Sequence, residues 1–313
     1  MSSIVAVAGG TGSLGRTLVE AIAADRQHKV FILAREAKAD REPHVGVQIL
    51  TVNYSNVDSL VQVLDENKID TVISALSVSG VAESELNLIA AANQALNTRR
   101  YVPSFWGIKF PRRVVDKYPV AKAKWALVDA LAQTSLEYTV WLHGYLSDYY
   151  VSPPIKTHMP ILTSYIDVPN KTGAIPGSGE VPVVLTHSVD LAKFVSASLT
   201  LPKWAPEVSL VGDRLTLNEL VEVLEAEKGV KFKVTHDSVE DMTAGKVTEL
   251  PSHVPLYSFY PKEALQGTFA TIGLLVEDGT LDCKDGHDIT KDFPNIKLRT
   301  INELLLEGAD LEL

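Results

Sequence analysis

The chain has 313 residues, is 46% hydrophobic, carries a formal net charge of −10 and holds one cysteine, Cys283. That is enough apolar material for one large α/β unit or two interleaved subdomains, while the negative charge disfavours nucleic-acid binding and one thiol excludes an intramolecular disulfide. No apolar run reaches the roughly 18–20 residues that span a bilayer, and Met1-Ser2-Ser3-Ile4 lacks the basic region and cleavage site of a signal peptide, so a soluble, cytoplasmic protein without a membrane partner is expected.

The first 150 residues alternate strands and helices, the pattern of a parallel sheet with right-handed crossovers. Ile4–Ala8 reads as a strand buried on both faces, and a helix follows over 13–24 with Leu14, Leu18, Ala21 and Ile22 on one side. Strands are expected at 30–34, 47–52, 71–76, 100–103 and 138–142, and helices at 58–64, 83–96 and 119–132. After Tyr150 the prolines at 153, 154, 160, 169 and 176 mark loops and short strands. A helix over 189–199 and a seventh strand at 208–211 return to the main sheet. Helices at 218–228, 239–245 and 299–306 complete the chain. The fold expected is a Rossmann-type, doubly wound parallel sheet over 1–150, rejoined by 188–213, with a smaller split α/β substrate domain from 151–187 and 214–313.

Gly9-Gly10-Thr11-Gly12-Ser13-Leu14-Gly15 lies directly between the first strand and the first helix. In the Gly9-x-x-Gly12-x-x-Gly15 spacing, Gly9 permits the sharp turn, Gly12 lets a pyrophosphate approach the backbone, and Gly15 lets the helix pack closely on the sheet. The helix start, with Thr11, Ser13 and Leu14, offers free N–H groups and partial positive charge. The second strand ends Leu33-Ala34-Arg35, with Lys38 nearby. A carboxylate there would bond a ribose 2′-hydroxyl, whereas the Arg35 fork suits a 2′-phosphate. NADPH/NADP+ is therefore the expected cofactor. Ala75 and Leu76 at the end of the fourth strand and Ser104 after the fifth complete the expected contacts.

With these motifs in place, the chain resembles the NmrA-like and isoflavone-reductase-like group of atypical short-chain dehydrogenases. The likeness is carried by the glycine loop, Arg35, Arg100-Tyr101-Val102-Pro103-Ser104-Phe105-Trp106-Gly107, Leu136-Glu137-Tyr138-Thr139 and Gly144-Tyr145-Leu146-Ser147-Asp148-Tyr149. Ile175-Pro176-Gly177-Ser178-Gly179, Thr186-His187-Ser188-Val189-Asp190-Leu191 and the 199–204 stretch look most like fungal members. The family usually carries a glutamate after the serine of the fifth-strand signature, where this chain has Phe105.

Reduction of a carbonyl or conjugated alkene needs a proton donor. Lys122 and Lys124 compete. Tyr118-x-x-x-Lys122 has the spacing of ordinary short-chain dehydrogenases, but Pro119 suits the first helical turn and leaves Tyr118 outside it. Lys124 lies three or four residues from Ala121, Leu127 and Val128, on the apolar face, while Lys122 is about 200° round the helix. The resemblance implies the same choice, since the family's catalytic lysine lies fourteen residues before the aromatic that is Tyr138 here. Phe105, Trp106, His143, Tyr145 and Tyr149 are candidates for a substrate pocket at the C-terminal edge of the sheet. His187 and Asp190 read as caps of the following helix. No cluster has metal-ligand spacing, so no metal is expected.

Three functions follow as expectations. The leading one is an NADPH-dependent reductase acting on a C=C, C=N or C=O bond of a small, fairly apolar metabolite, such as a secondary metabolite. The others are a redox-neutral cyclase or isomerase on the same scaffold and an NADP(H)-sensing regulator without turnover. The oligomeric state is left open.

Overall fold

From the N-terminus the chain forms β1 (Ile4–Ala8), α1 (Ser13–Asp25), β2 (Lys29–Ala34), β3 (Ile49–Thr51), α2 (Val57–Glu66), β4 (Thr71–Ser74), α3 (Glu83–Gln94), β5 (Arg100–Val102), α4 (Pro119–Leu131) and β6 (Glu137–Tyr138). The computed structural model describes residues 2–36, 46–77 and 82–312. These six strands build one parallel sheet in the order β3-β2-β1-β4-β5-β6. Then come β7 (Val140–Leu142), β8 (Tyr145–Leu146), α5 (Asp148–Val151), β9 (Ile166–Asp167), β10 (Thr172–Pro176), β11 (Val183–Thr186), α6 (Ser188–Ser198), β12 (Glu207–Ser209), β13 (Asp213–Leu215), α7 (Leu217–Lys228), β14 (Lys233–Asp237), α8 (Val239–Thr243), α9 (Lys262–Glu277), β15 (His287–Asp288) and α10 (Ile301–Glu312).

The alternation of side chains along β1 decides the layers. Ala6 and Ala8 join the cluster that holds Leu60 and Leu64 of α2, Leu88 and Ala92 of α3, and Leu127 and Leu131 of α4. Val5 and Val7 join Leu18, Val19 and Ile22 of α1 with Leu191, Phe194 and Val195 of α6. Both faces are thereby covered by helices, which is the doubly wound α/β arrangement. Among the described residues no helix is long and apolar enough to cross a membrane.

Three features differ from the sequence reading. The sixth strand, expected unbroken, is interrupted at Thr139. β5 stops before Pro103, which has no N–H to continue a ladder. The 137–142 stretch therefore changes neighbours: Glu137 and Tyr138 pair with β5, and Val140 N–H then donates to the Pro206 carbonyl at 3.0 Å as β7 pairs with β12. The returning strand thus joins through β7, in a three-stranded sheet β15-β12-β7.

The cap of α6 is also different. His187 occupies the cap position without a capping side-chain bond. Asp148 supplies it from α5, accepting the Ser188 N–H at 2.8 Å and the Ser188 hydroxyl at 2.5 Å. Asp190 instead takes Arg299 through Nε at 2.9 Å and Nη2 at 3.0 Å.

The longest helix, α9, was not expected at all. Gly267 and Gly273 interrupt its pattern, and glycine ordinarily argues against a helix interior. A Cβ at Gly273 would lie 2.5 Å from the Met242 sulfur, so this glycine is what lets α8 and α9 pack.

Candidate active site

In a sheet of this order the crevice opens where the connections diverge, beyond β1 and β4. The glycine loop and the end of β4 meet there. Gly9 has φ +74°, and a Cβ on it would sit 2.7 Å from the Ala75 carbonyl oxygen; one on Gly15 would sit 2.2 Å from the Gly9 oxygen. Both glycines are required by the protein's own packing. Gly12 is different: it is exposed, has φ −88°, and among the described residues a Cβ would meet only the Gly9 oxygen, at 3.3 Å. Its missing side chain leaves open the space above α1. That helix has no side-chain cap and no acidic residue in its first turn. Among the described residues, the N–H groups of Ser13, Leu14 and Gly15 reach no acceptor. Such an end favours an anion.

A cleft of about 360 Å³ continues from this loop, lined by Gly9, Thr11, Leu33, Ala34, Arg35, Glu36, Tyr54 and Leu76. Arg35 is exposed at the end of β2. Lys38 lies outside the described residues. Tyr54 was not anticipated. Its hydroxyl donates to the Leu33 carbonyl at 3.0 Å and ties the chain after β3 to the cleft wall.

A second cavity, of about 200 Å³, lies on the other side of the β4–β5 ends. Trp106, Ile108, Phe110, Tyr118, Lys124 and Tyr145 line it, with Leu162, Ser164, Thr268, Phe269, Ile272 and Leu281 from later segments. Among the described residues, Lys124 is the only lining residue with a formal charge. Its amine donates to the Trp106 carbonyl at 2.6 Å and lies 5.6 Å and 5.3 Å from the Phe105 and Phe110 ring centres. Burial pushes this amine down to about 8, with the Glu85 carboxylate acting against the shift. Lys122 is exposed, on the opposite face of α4.

The other expected pocket residues divide. Trp106 and Tyr145 line the cavity; Phe105, His143 and Tyr149 do not. Phe105 is buried beneath it, edge-on to Trp125 at 5.5 Å. His143 is buried, and its imidazole is pushed down to about 4 by desolvation and then by the Lys124 charge, so it stays neutral. Tyr149 packs against the apolar cluster around Tyr165 and Ile175. Tyr118 does lie outside the helix, as its N-cap. Yet its ring enters the cavity against Phe110 at 5.5 Å, and burial raises its phenol to about 12.

Cleft and cavity are stitched together. The Ser104 hydroxyl donates to the Leu76 carbonyl at 2.7 Å, and the Trp106 indole to the Ser74 carbonyl at 2.8 Å. Beneath them Glu85, buried on α3, accepts the Ser104 N–H at 2.7 Å. Glu85 was missed, although it stands three and four residues before the buried Leu88 and Ile89 and so shares their face. Burial raises its carboxyl to about 7, against the pull of the Ser104 N–H and of Lys124.

Residues 1–305 match the model of the NmrA-like family. The oxidoreductase BOA1 of Botryotinia fuckeliana is 34% identical over 261 residues, covering 83% of this chain and 85% of its own. The oxidoreductase swnN of Metarhizium robertsii is 30% identical, covering 99% and 98%. A structure of AtPrR2 with NADP+ and (+)pinoresinol superposes with a TM-score of 0.71 at 24% identity, covering 98% of this chain and 99% of that one. A glycine loop on an uncapped helix, an arginine after β2 and a lysine in an apolar cavity stand in a fold shared along nearly the whole chain: it belongs to the NmrA-like family.

Proposed function

We propose that this chain is an NADPH-dependent oxidoreductase that reduces a C=C, C=N or C=O bond of a small, fairly apolar metabolite, of the kind secondary metabolism supplies. The observation that carries the reading is Lys124, the one charged group among the described residues that line an aromatic-walled cavity. The relatives BOA1 and swnN are named oxidoreductases, and AtPrR2 is solved with NADP+. The residues fit that cofactor: the open α1 terminus takes the pyrophosphate, Arg35 the 2′-phosphate, and the 104–106 stitch leads from cleft to cavity. When bound, NADPH supplies the hydride. Lys124 supplies the proton to the atom that gains negative charge, and its lowered pKa suits that task near neutral pH. Segments 151–187 and 214–313 serve as the substrate side, since Leu162, Ser164, Thr268, Phe269, Ile272 and Leu281 all come from them. The decisive experiment is to identify nucleotide that co-purifies with the protein and to screen enones, imines and ketones for NADPH oxidation. Absence of oxidation across the screen, with NADPH bound, would count against reduction.

Arg35 gives a separate test of the cofactor. Arg35→Ala is expected to weaken NADPH binding by about 1.5–3 kcal/mol, the scale of a hydrogen bond to a charged group, and to leave NADH binding nearly unchanged. Titration calorimetry with both nucleotides reads this directly, and equal losses would sink the 2′-phosphate assignment.

A further inference from the structure

We propose that Glu85 is the positioning residue for Lys124: through Ser104 it fixes the strap whose carbonyl holds the amine, and its charge favours the ammonium form. The inference rests on the reading of Lys124 as proton donor. It starts from an anomaly of burial. Glu85 is 2% exposed in the layer between α3 and the sheet, where Leu88, Ile89 and Ala92 surround it on its own helix. A carboxylate there is costly unless it is bonded and has an opposite charge nearby.

Toward the cavity one oxygen is bonded and an opposite charge acts on it, while Oε2 is buried with no hydrogen-bond partner among the described residues. Oε1 takes the Ser104 N–H at 2.7 Å, two residues before the Trp106 carbonyl that accepts from Lys124 at 2.6 Å. Ser104 and Trp106 are also tied to the end of β4 by their side chains, whereas Glu85 holds the Ser104 main chain. The Lys124 charge acts on Glu85, and the two shift each other's protonation in opposite senses.

Among the described residues, the other titratable groups acting on this pair keep their charge state near neutral pH. Glu85 also faces Tyr54 and Tyr101, phenols that burial raises above their ordinary range. Lys124 also faces His143, neutral above about 4, and shares the cavity with Tyr118, raised to about 12. Between pH 6 and 9, then, Glu85 and Lys124 are the members of this group that change charge. An ionised Glu85 holds the Lys124 pKa up. Removing the charge lowers that pKa, so the ammonium is lost at lower pH.

Glu85→Gln keeps an acceptor for Ser104 and removes the charge. The probe is the intact protein, 13C-methylated on its lysines, with the Lys124 resonance assigned by its absence in Lys124→Arg. In Glu85→Gln the Lys124 titration should move down by about half a unit to one unit, and the alkaline limb of the turnover profile with it. Turnover should match the parent at pH 6, where Glu85 is protonated anyway, and fall ~2–8-fold below it at pH 8–8.5, following the ammonium fraction. NADPH affinity should stay within about threefold, because the phosphate contacts lie elsewhere. Glu85→Ala, which also removes the acceptor, should lower turnover at every pH. Should Glu85→Gln not fold, the unsubstituted protein carries the test: its Lys124 resonance should show a second inflection near 7 from Glu85. A Lys124 titration that is identical with and without the carboxylate, or a single inflection in the unsubstituted protein, overturns the proposal. A shifted Lys124 titration with an unmoved turnover profile supports the coupling and overturns Lys124 as the proton donor.

Discussion

Lys124→Ala is expected to lose turnover by ~10²–10⁴-fold, the usual contribution of a positioned acid, while Lys122→Ala stays near the parent rate. The two residues are two positions apart on α4 and nearly opposite each other around it. One amine enters the cavity under Trp106, and the other is exposed. NADPH binding by the Lys124 variant should weaken at most a few-fold, because the glycine loop and Arg35 hold the phosphates. Steady-state rates and cofactor titration on both variants decide the matter. If Lys122→Ala is the inactive one, the donor belongs to the Tyr118-x-x-x-Lys122 arrangement instead. If neither matters in an active enzyme, another group lining the cavity, such as Tyr118 or Tyr145, or the shape of the cavity alone, carries the chemistry. Binding of a protein partner to one redox form of the cofactor, without turnover, would favour the regulator.

Gly12→Val should abolish dinucleotide binding while the protein remains folded. The three loop glycines are not equivalent. Side chains at Gly9 or Gly15 would collide with backbone at 2.7 Å and 2.2 Å, so substitution there damages the fold and tests nothing about the ligand. At Gly12, among the described residues, a Cβ meets only the Gly9 oxygen at 3.3 Å, a tight contact relieved by a shift of a few tenths of an ångström, and the backbone is extended enough for any residue. The isopropyl group would instead stand over the free N–H groups of α1, where the pyrophosphate belongs. The expected pair of results is a thermal transition close to that of the parent and no measurable NADPH binding by calorimetry. A folded variant that keeps its affinity would show that the loop is a turn and nothing more.

The local sequence determined the sheet-forming half because its rules are local. Apolar runs ended by glycine, a proline at the first turn of α4 and the side of that helix on which Lys124 falls are set by backbone geometry within a few residues. Contacts across the chain decided the rest. α9 forms because Gly273 lets it approach Met242, although the same glycine argues locally against a helix. Tyr118 reaches the cavity from outside α4, with Phe110 behind it, and the α6 cap comes from Asp148, forty residues earlier. Glu85 carried a local signal, an acidic residue on an apolar helix face. Its relation to Lys124 did not, because the two are thirty-nine positions apart and meet only through the Ser104–Trp106 strap that the folded sheet brings between them.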